Sequence, residues 1–403
     1  MPAHSSVPLL HDVDRSFEKE LVWLRETFWS AAREVVDERR AGRVAETLTA
    51  LVRTRLDNAS SIRDWHRTVG QQQTAATLNQ LYEDVGGWDE VLSQVLGKIR
   101  LTLERVETGV AIVDDTSFRK YGMEMEGLSS VHCANIKSPV PGHNAVTLML
   151  ADGAEGVFAD LKLKVNRSRP KHARRPGRLR EQVREARDQN KRELALQMIE
   201  QAKANGVELR LVLFDAWYFC AEMAECLNDL DLALVSRAKS NTTFIVDGRE
   251  MSAKDFLASC STRKRVRSTD HCFYQRAASL KCGIEVKLVA TWFFQGRGMV
   301  QKLAVLVTTD LAMSGPAVVL AYIDRWATEQ GYKTLKHELA WANYHSTDFP
   351  TILVLLRIGL PAYALSRKIQ NDLHERIPLP TLLRLRRRAR QTLAGSAEVP
   401  SVH

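Results

Sequence analysis

The chain switches twice between a helical and a two-residue period of apolar positions. From residue 1 to about 105, Leu21, Leu24, Phe28, Ala32, Val35 and Val36 recur at helical spacing, as do Trp88, Val91, Leu92, Val95, Leu96, Ile99 and Leu103. At residue 109 the pattern changes. GVAIVDDTSF is a β-rich apolar run ending in paired aspartates, and HNAVTLMLAD and GVFADLKLKV read as two strands around an Asp152-Gly153 turn. Residues 181–205 predict one helix stopped by Gly206. VELRLVLFD then reads as a buried strand with Asp215 at its C-terminal end, AWYFCAEMAECLNDL as a helix, and LALVSRAK as a strand. Strands, helix, strand, helix, strand predict an α/β fold with a mixed sheet covered by helices.

Residues 240–312 contain NTTFIV, GIEVKLVATWFFQ and MVQKLAVLVTTD and predict a β-rich insertion. Beyond 346 the chain turns helical again and ends in RLRRRAR. The stretch Tyr322 to Lys336 matters most for chemistry. At 100° per residue, Tyr322, Arg325, Glu329 and Lys336 stand at about 0°, −60°, −20° and −40°, so all four share one face. Val319, Leu320, Ile323, Trp326 and Ala327 form a stripe expected to face the core. Ser314 is the expected N-cap, with Pro316 in the first turn, while Gly331 weakens a straight helix by about 1 kcal/mol.

With 403 residues, 45% of them apolar and 26% charged, the chain can bury a large core in two or three domains. Its net charge of +9 favours a polyanionic partner, nucleic acid or an anionic membrane. The most apolar window, 304–323, is interrupted by Asp310 and Pro316, and the N-terminus lacks the layout of a signal peptide, so a soluble cytoplasmic protein with no membrane partner is expected. The six cysteines form no C-x2-C pair. Cys260, His271, Cys272 and Cys282 do not fit zinc spacing, Gly296 and Gly298 do not open a helix, and G-x-S-x-G and H-E-x-x-H do not occur.

The pattern Y-x2-R-x3-E-x6-K at Tyr322, Arg325, Glu329 and Lys336 resembles the signature of one branch of bacterial insertion-sequence DDE transposases. VDDT and LFDAWY stand upstream in the order that this family uses. The resemblance implies a ribonuclease H-like catalytic core at 106–239 and 313–345, a helical DNA-binding domain at 1–105, the β-rich insertion at 240–312, and a C-terminal helical basic region at 346–403. It implies Asp115, Asp215 and Glu329 as catalytic residues and metal ligands for two Mg²⁺ ions, with Mn²⁺ a possible substitute; Asp115 directly precedes the threonine, and Asp114 is kept as its neighbour. Three hard carboxylate donors suit such ions, which can activate water and stabilise a leaving 3′ oxygen. HELAWANYH after Lys336 departs from the glycine-containing tail of the family.

Tyr322, Arg325 and Lys336 are expected to hold phosphates near the cut, although Arg325 can also pair with Glu329 at i,i+4. Leu161–Arg192 holds thirteen lysines and arginines against three acids, so Arg174, Arg175 and Arg178 are expected along bound DNA. Trp292 is either a core residue, the favoured reading, or a platform for a flipped base. Arg33, Arg39, Arg40, Arg43, Arg53 and Arg55 either face solvent or grip the element's terminal DNA. The basic run at Arg263, Lys264, Arg265 and Arg267 is read as a DNA-facing loop. Arg384, Arg386, Arg387, Arg388 and Arg390 form a cationic tail, open to DNA contact or plain solvation. The implied activity is cut-and-paste transposition at terminal inverted repeats by a homodimer near the nucleoid; the alternatives are a catalytically silent DNA-binding derivative and a nuclease without strand transfer.

Overall fold

The computed structural model describes residues 6–58, 91, 109–133, 136–152, 155–167, 181–260, 264–267, 269, 271–295, 299–344, 346–373 and 377–397. Helices α1 (Ser6–Ala32) and α2 (Glu38–Leu56) come first, followed by β1 (Val110–Arg119), β2 (Ser129–Cys133), β3 (Ser138–Asp152) and β4 (Glu155–Lys164). Then come α3 (Glu181–Asp188), α4 (Lys191–Ala204), β5 (Leu211–Phe214), α5 (Ala221–Asp229) and β6 (Ala233–Arg237). Strands β7 (Thr243–Val246) and β8 (Arg249–Ser252), helix α6 (Ala253–Ser259), and strands β9 (Lys264–Arg265), β10 (His271–Ser279), β11 (Glu285–Gln295) and β12 (Met299–Thr308) follow. The chain ends in α7 (Gly315–Asp324), α8 (Trp326–Glu338), α9 (Phe349–Arg357), α10 (Gly359–Asp372) and α11 (Leu379–Ala397).

At the centre of the sheet β1 is antiparallel to β3 and parallel to β5, and β5 is parallel to β6. β4 lies antiparallel on the far side of β3. This is a mixed sheet with helices on it, consistent with the ribonuclease H-like core expected from the sequence. The strands of 240–312 do not build a second sheet. β12 pairs antiparallel with β6 through Val235↔Thr308 and Arg237↔Leu306, and β11, β10, β7 and β8 continue outward, giving twelve strands in one sheet among the described residues.

Two helices expected as single pieces are broken. The one over 181–205 stops at Asp188 and restarts at Lys191, because Asn190 caps the new helix: its side chain accepts from Arg192 and Glu193 N–H while Glu193 reaches back to the Asn190 N–H. Leu194, Ala195, Met198, Ile199 and Ala202 then form the buried stripe of α4. The helix over 315–338 breaks at Arg325, a turn residue between α7 and α8. Ser314 Oγ accepts from the Ala317 N–H and caps α7 as expected. Gly331 causes no kink. A Cβ there would meet Phe158 Cε2 at 2.6 Å and Met149 Cε at 3.0 Å, so its bare backbone lets α8 lie close on the sheet.

The terminal helices meet. α1 packs on α11, and α2 on α10. Arg55 is buried in α2 and donates to the carbonyls of Ala340, Asn343 and Leu355. Arg386 is fully buried and pairs with Asp57, as does Arg390, while Arg384 and Arg387 both hold Glu338 at the end of α8. Four of the five tail arginines are therefore internal ties, not a cationic tail. Phe349–Asp372 is long and apolar enough to cross a membrane, but 78% of its most apolar window is buried inside the protein and it is two helices joined at Ile358.

Candidate active site

Strand alternation decides what each of the paired aspartates can reach. Asp114 and Thr116 point to one face of β1, Asp115 and Ser117 to the other. On the first face lies α8. Arg325 Nη1 donates to Asp114 Oδ2 at 2.9 Å and its Nη2 to Glu329 Oε1 at 3.1 Å, so one guanidinium joins the two carboxylates. Lys336 Nζ donates to Thr116 Oγ1 at 2.5 Å and to the Ser117 carbonyl at 3.2 Å. The Tyr322 ring stands 5.5 Å from the Arg325 guanidinium carbon.

Asp215 joins this face by register. The last paired residues of the parallel strands β1 and β5 are Val113 and Phe214, so Asp114 and Asp215 are the next residue on each strand and lie on the same face. Their charges are close enough to raise the pKa of Asp114 together. Asp215 Oδ1 also accepts from the Trp217 N–H at 2.7 Å, which fixes the turn after β5.

Burial pushes the Asp114 carboxyl up to about 7; Arg325 opposes this, and Asp115 and Asp215 add to it. Burial works against the Arg325 charge too, but Asp114, Tyr322, Glu329 and Asp215 outweigh it and its pKa is raised. Its Nε is buried with no hydrogen-bond partner. The face thus gathers three carboxylates around one cation. Among the described residues no three acidic, histidine or cysteine side chains converge tightly enough to cage an ion unaided. The donor chemistry still suits a hard dication: carboxylate oxygens only, and one of them held near neutrality by burial for want of positive charge.

Asp115 stands outside this group. Its Oδ2 accepts from Lys191 Nζ at 2.7 Å and from Asn144 Nδ2 at 3.0 Å, and its Oδ1 accepts from the Tyr218 hydroxyl at 3.3 Å. The expectation that Asp115 joins Asp215 and Glu329, with Asp114 as the bystander, is therefore reversed in the geometry. The threonine that follows Asp115 gave no information on which way the strand faces.

Other expected site residues fall differently. Trp292 is 2% exposed in β11, which leaves no ring face for a base and makes it a core residue. Of the stripe expected to face the core, Val319 and Ala327 are buried, while Leu320, Ile323 and Trp326 are exposed at 43%, 37% and 49%. Arg33 stacks on Trp29, Arg40 pairs with Asp37 and Arg53 with Glu18, so these arginines and Arg55 are engaged within the N-terminal helices or the core. Lys264 and Arg265 are exposed on β9, and Arg263 lies outside the described residues. So do Arg174, Arg175 and Arg178.

Sequence reasoning missed the anchors of the segment after α8. Lys120 donates to the carbonyls of Ala342 and Tyr344, and burial together with Arg55 pushes its pKa down to about 7. Buried Trp341 donates to the Leu356 carbonyl at 2.6 Å. The departure of HELAWANYH from the family tail is thus a locally anchored segment. A lysine next to a strand end and a tryptophan in an alanine-rich stretch were the available signals.

No curated protein matches the chain. Residues 29–275 match the family described as DDE superfamily endonuclease. That span covers more than half of the chain and includes Asp114, Asp115 and Asp215, and it ends before α7 and Glu329. The chain belongs to the DDE superfamily endonucleases.

Proposed function

We propose that this endonuclease is a cut-and-paste DNA transposase whose catalytic carboxylates are Asp114, Asp215 and Glu329. The observation that carries the reading is the register of β1 and β5, which makes Asp114 and Asp215 neighbours just past the last parallel pair, with Arg325 tying Glu329 to Asp114. Asp114, Asp215 and Glu329 would hold two Mg²⁺ ions, a role Mn²⁺ also fits, supplying activation of the attacking water and stabilisation of the leaving 3′ oxygen.

The chain's own residues do the rest. Arg325 bridges Asp114 and Glu329; with those carboxylates holding cations, its fork would suit a phosphate. Lys336, held by Thr116 along β1, places a second cation further along the same face. Tyr322, itself partly buried, lies with its ring 5.5 Å from the Arg325 guanidinium carbon. Freed 3′-OH ends would then attack target DNA in the same site. Terminal inverted repeats, a homodimer holding two ends, and action in the bacterial cytoplasm at the nucleoid complete the reading.

The test is cleavage of DNA taken from the gene's own flanks. Asp215→Ala and Glu329→Ala should abolish Mg²⁺-dependent cutting while still binding the ends. Cutting by either variant within about tenfold of the parent, a barrier difference of only about 1.4 kcal/mol, would sink the assignment.

A further inference from the structure

The Asp115 face carries a feature that the cutting chemistry does not use. Trp217, two residues past Asp215, leaves 42% of its surface exposed. It is not loosely held. Its backbone N–H donates to Asp215 Oδ1 at 2.7 Å, and its backbone carbonyl accepts from the Arg192 guanidinium at 3.2 Å. Lys191 Nζ lies 5.1 Å and Arg192 Cζ 5.4 Å from the indole centroid. Behind it the fully buried Tyr218 ring stands edge-on at 5.2 Å. The two cations are fixed as well, being the first residues of the capped helix α4, with Lys191 bound to Asp115.

An exposed indole with two cations within 5.4 Å of its centre suits one kind of ligand in a DNA-cutting protein. A base stacks on the ring, and the cations take the phosphates beside it. Bases inside a duplex already stack on each other, so only an unpaired base can use the ring. We propose that Trp217, with Lys191 and Arg192, is a stacking site for an unpaired base of the DNA next to the cut, across the carboxylate edge from Arg325 and Lys336. The proposal rests on the DNA-cutting function above. It gives a role to an apolar ring left open beside Asp215.

The experiment uses the full chain without divalent metal, so that no strand is cut. Two duplexes from the gene's flanks are compared, one fully paired and one with frayed, unpaired bases at the cut position, with 2-aminopurine as the reporter base. The parent should bind the frayed duplex more tightly and quench its fluorescence. Trp217→Leu should weaken frayed-duplex binding by about tenfold and lose the quenching, with less than a twofold change on the paired duplex. Trp217→Phe should recover most of both. Equal binding of the two duplexes by parent and Trp217→Leu, or quenching that survives the substitution, would overturn the site. If Trp217→Leu melts well below the parent, Trp217→Phe alone decides: it must keep the frayed-end preference. A parent that binds neither duplex overturns the DNA-cutting reading along with this one, whereas binding to both without preference overturns only the stacking site.

Discussion

On one face of β1, Asp114 meets Arg325 and lies beside Asp215; on the other, Asp115 accepts from Lys191, Asn144 and Tyr218. The two residues share a side chain and adjoining positions, yet a two-residue period sends them to different helices, α8 and α4. One acid is short of positive charge and is pushed up to about 7 by burial, although Arg325 opposes it. The other already has a lysine, an amide and a hydroxyl. Asp114 also accepts from the Asp115 N–H, but its one cation, Arg325, is shared with Glu329, whereas Lys191 pairs with Asp115. Pairing in the sequence therefore says nothing about sharing a site, and the strand phase says which member belongs to it.

The contrast breaks first under cutting assays. Asp114→Asn should lower Mg²⁺-dependent cleavage by about a thousandfold or more, roughly 4 kcal/mol of barrier, while Asp115→Asn should stay within about tenfold. The reverse outcome would return the catalytic role to Asp115. Gly331→Ala tests how closely α8 must lie on the Asp114 face. The new Cβ would meet the Phe158 ring, so denaturant unfolding should show a loss of about 2 kcal/mol, with cleavage falling further as Glu329 is displaced.

A smaller effect comes from pH in metal-free protein. The folded Asp114 keeps its proton up to about 7, whereas the unfolded residue releases it near 3.8. Its contribution to stability is thus full below about 4 and is lost as pH rises through 7. Asparagine cannot ionise. Asp114→Asn should therefore melt several degrees above the parent at pH 8, by about 1–2 kcal/mol after allowing for the lost Arg325 attraction, and the gap should close toward pH 5. A gap that widens on acidification would show that Asp114 is charged in the fold. The smallest effect sharpens the other face. Lys191→Met should cost about 1 kcal/mol, and adding Asp115→Asn should recover most of it, as for a half-buried pair. Simple additivity in that double-mutant cycle would mean the ion pair holds nothing.

Much of the site could be read before folding. The strand carrying Asp114 and Asp115, the strand leading into Asp215 and the helix carrying Glu329 are where the periodicity put them, although the first strand runs on past the aspartates to Arg119. The choice between the two aspartates was not legible, because it depends on which face α8 covers, and that is set by Gly331 lying against Phe158, a contact 173 residues apart in the sequence (331 against 158). The exposure of Leu320, Ile323 and Trp326 was hidden for a related reason: periodicity places Val319, Leu320, Ile323, Trp326 and Ala327 on one stripe, but the fold covers only Val319 and Ala327. Trp292 shows the limit of composition. A tryptophan in a strand looks the same whether the strand is an edge or, like β11, lies between two others.

The ties between Asp57 and α11 set a timetable for making the protein. Asp57 is synthesised early and waits through 329 positions for Arg386, on the order of tens of seconds at ordinary translation rates. Until then α1 lacks α11, the helix on which it packs, and the end of α8 lacks the two arginines that hold Glu338. A ribosome-bound chain can own every carboxylate of the proposed site and still lack the clasp behind the helix that carries Glu329. Competence to cut DNA should arrive late and all at once, with the last helix.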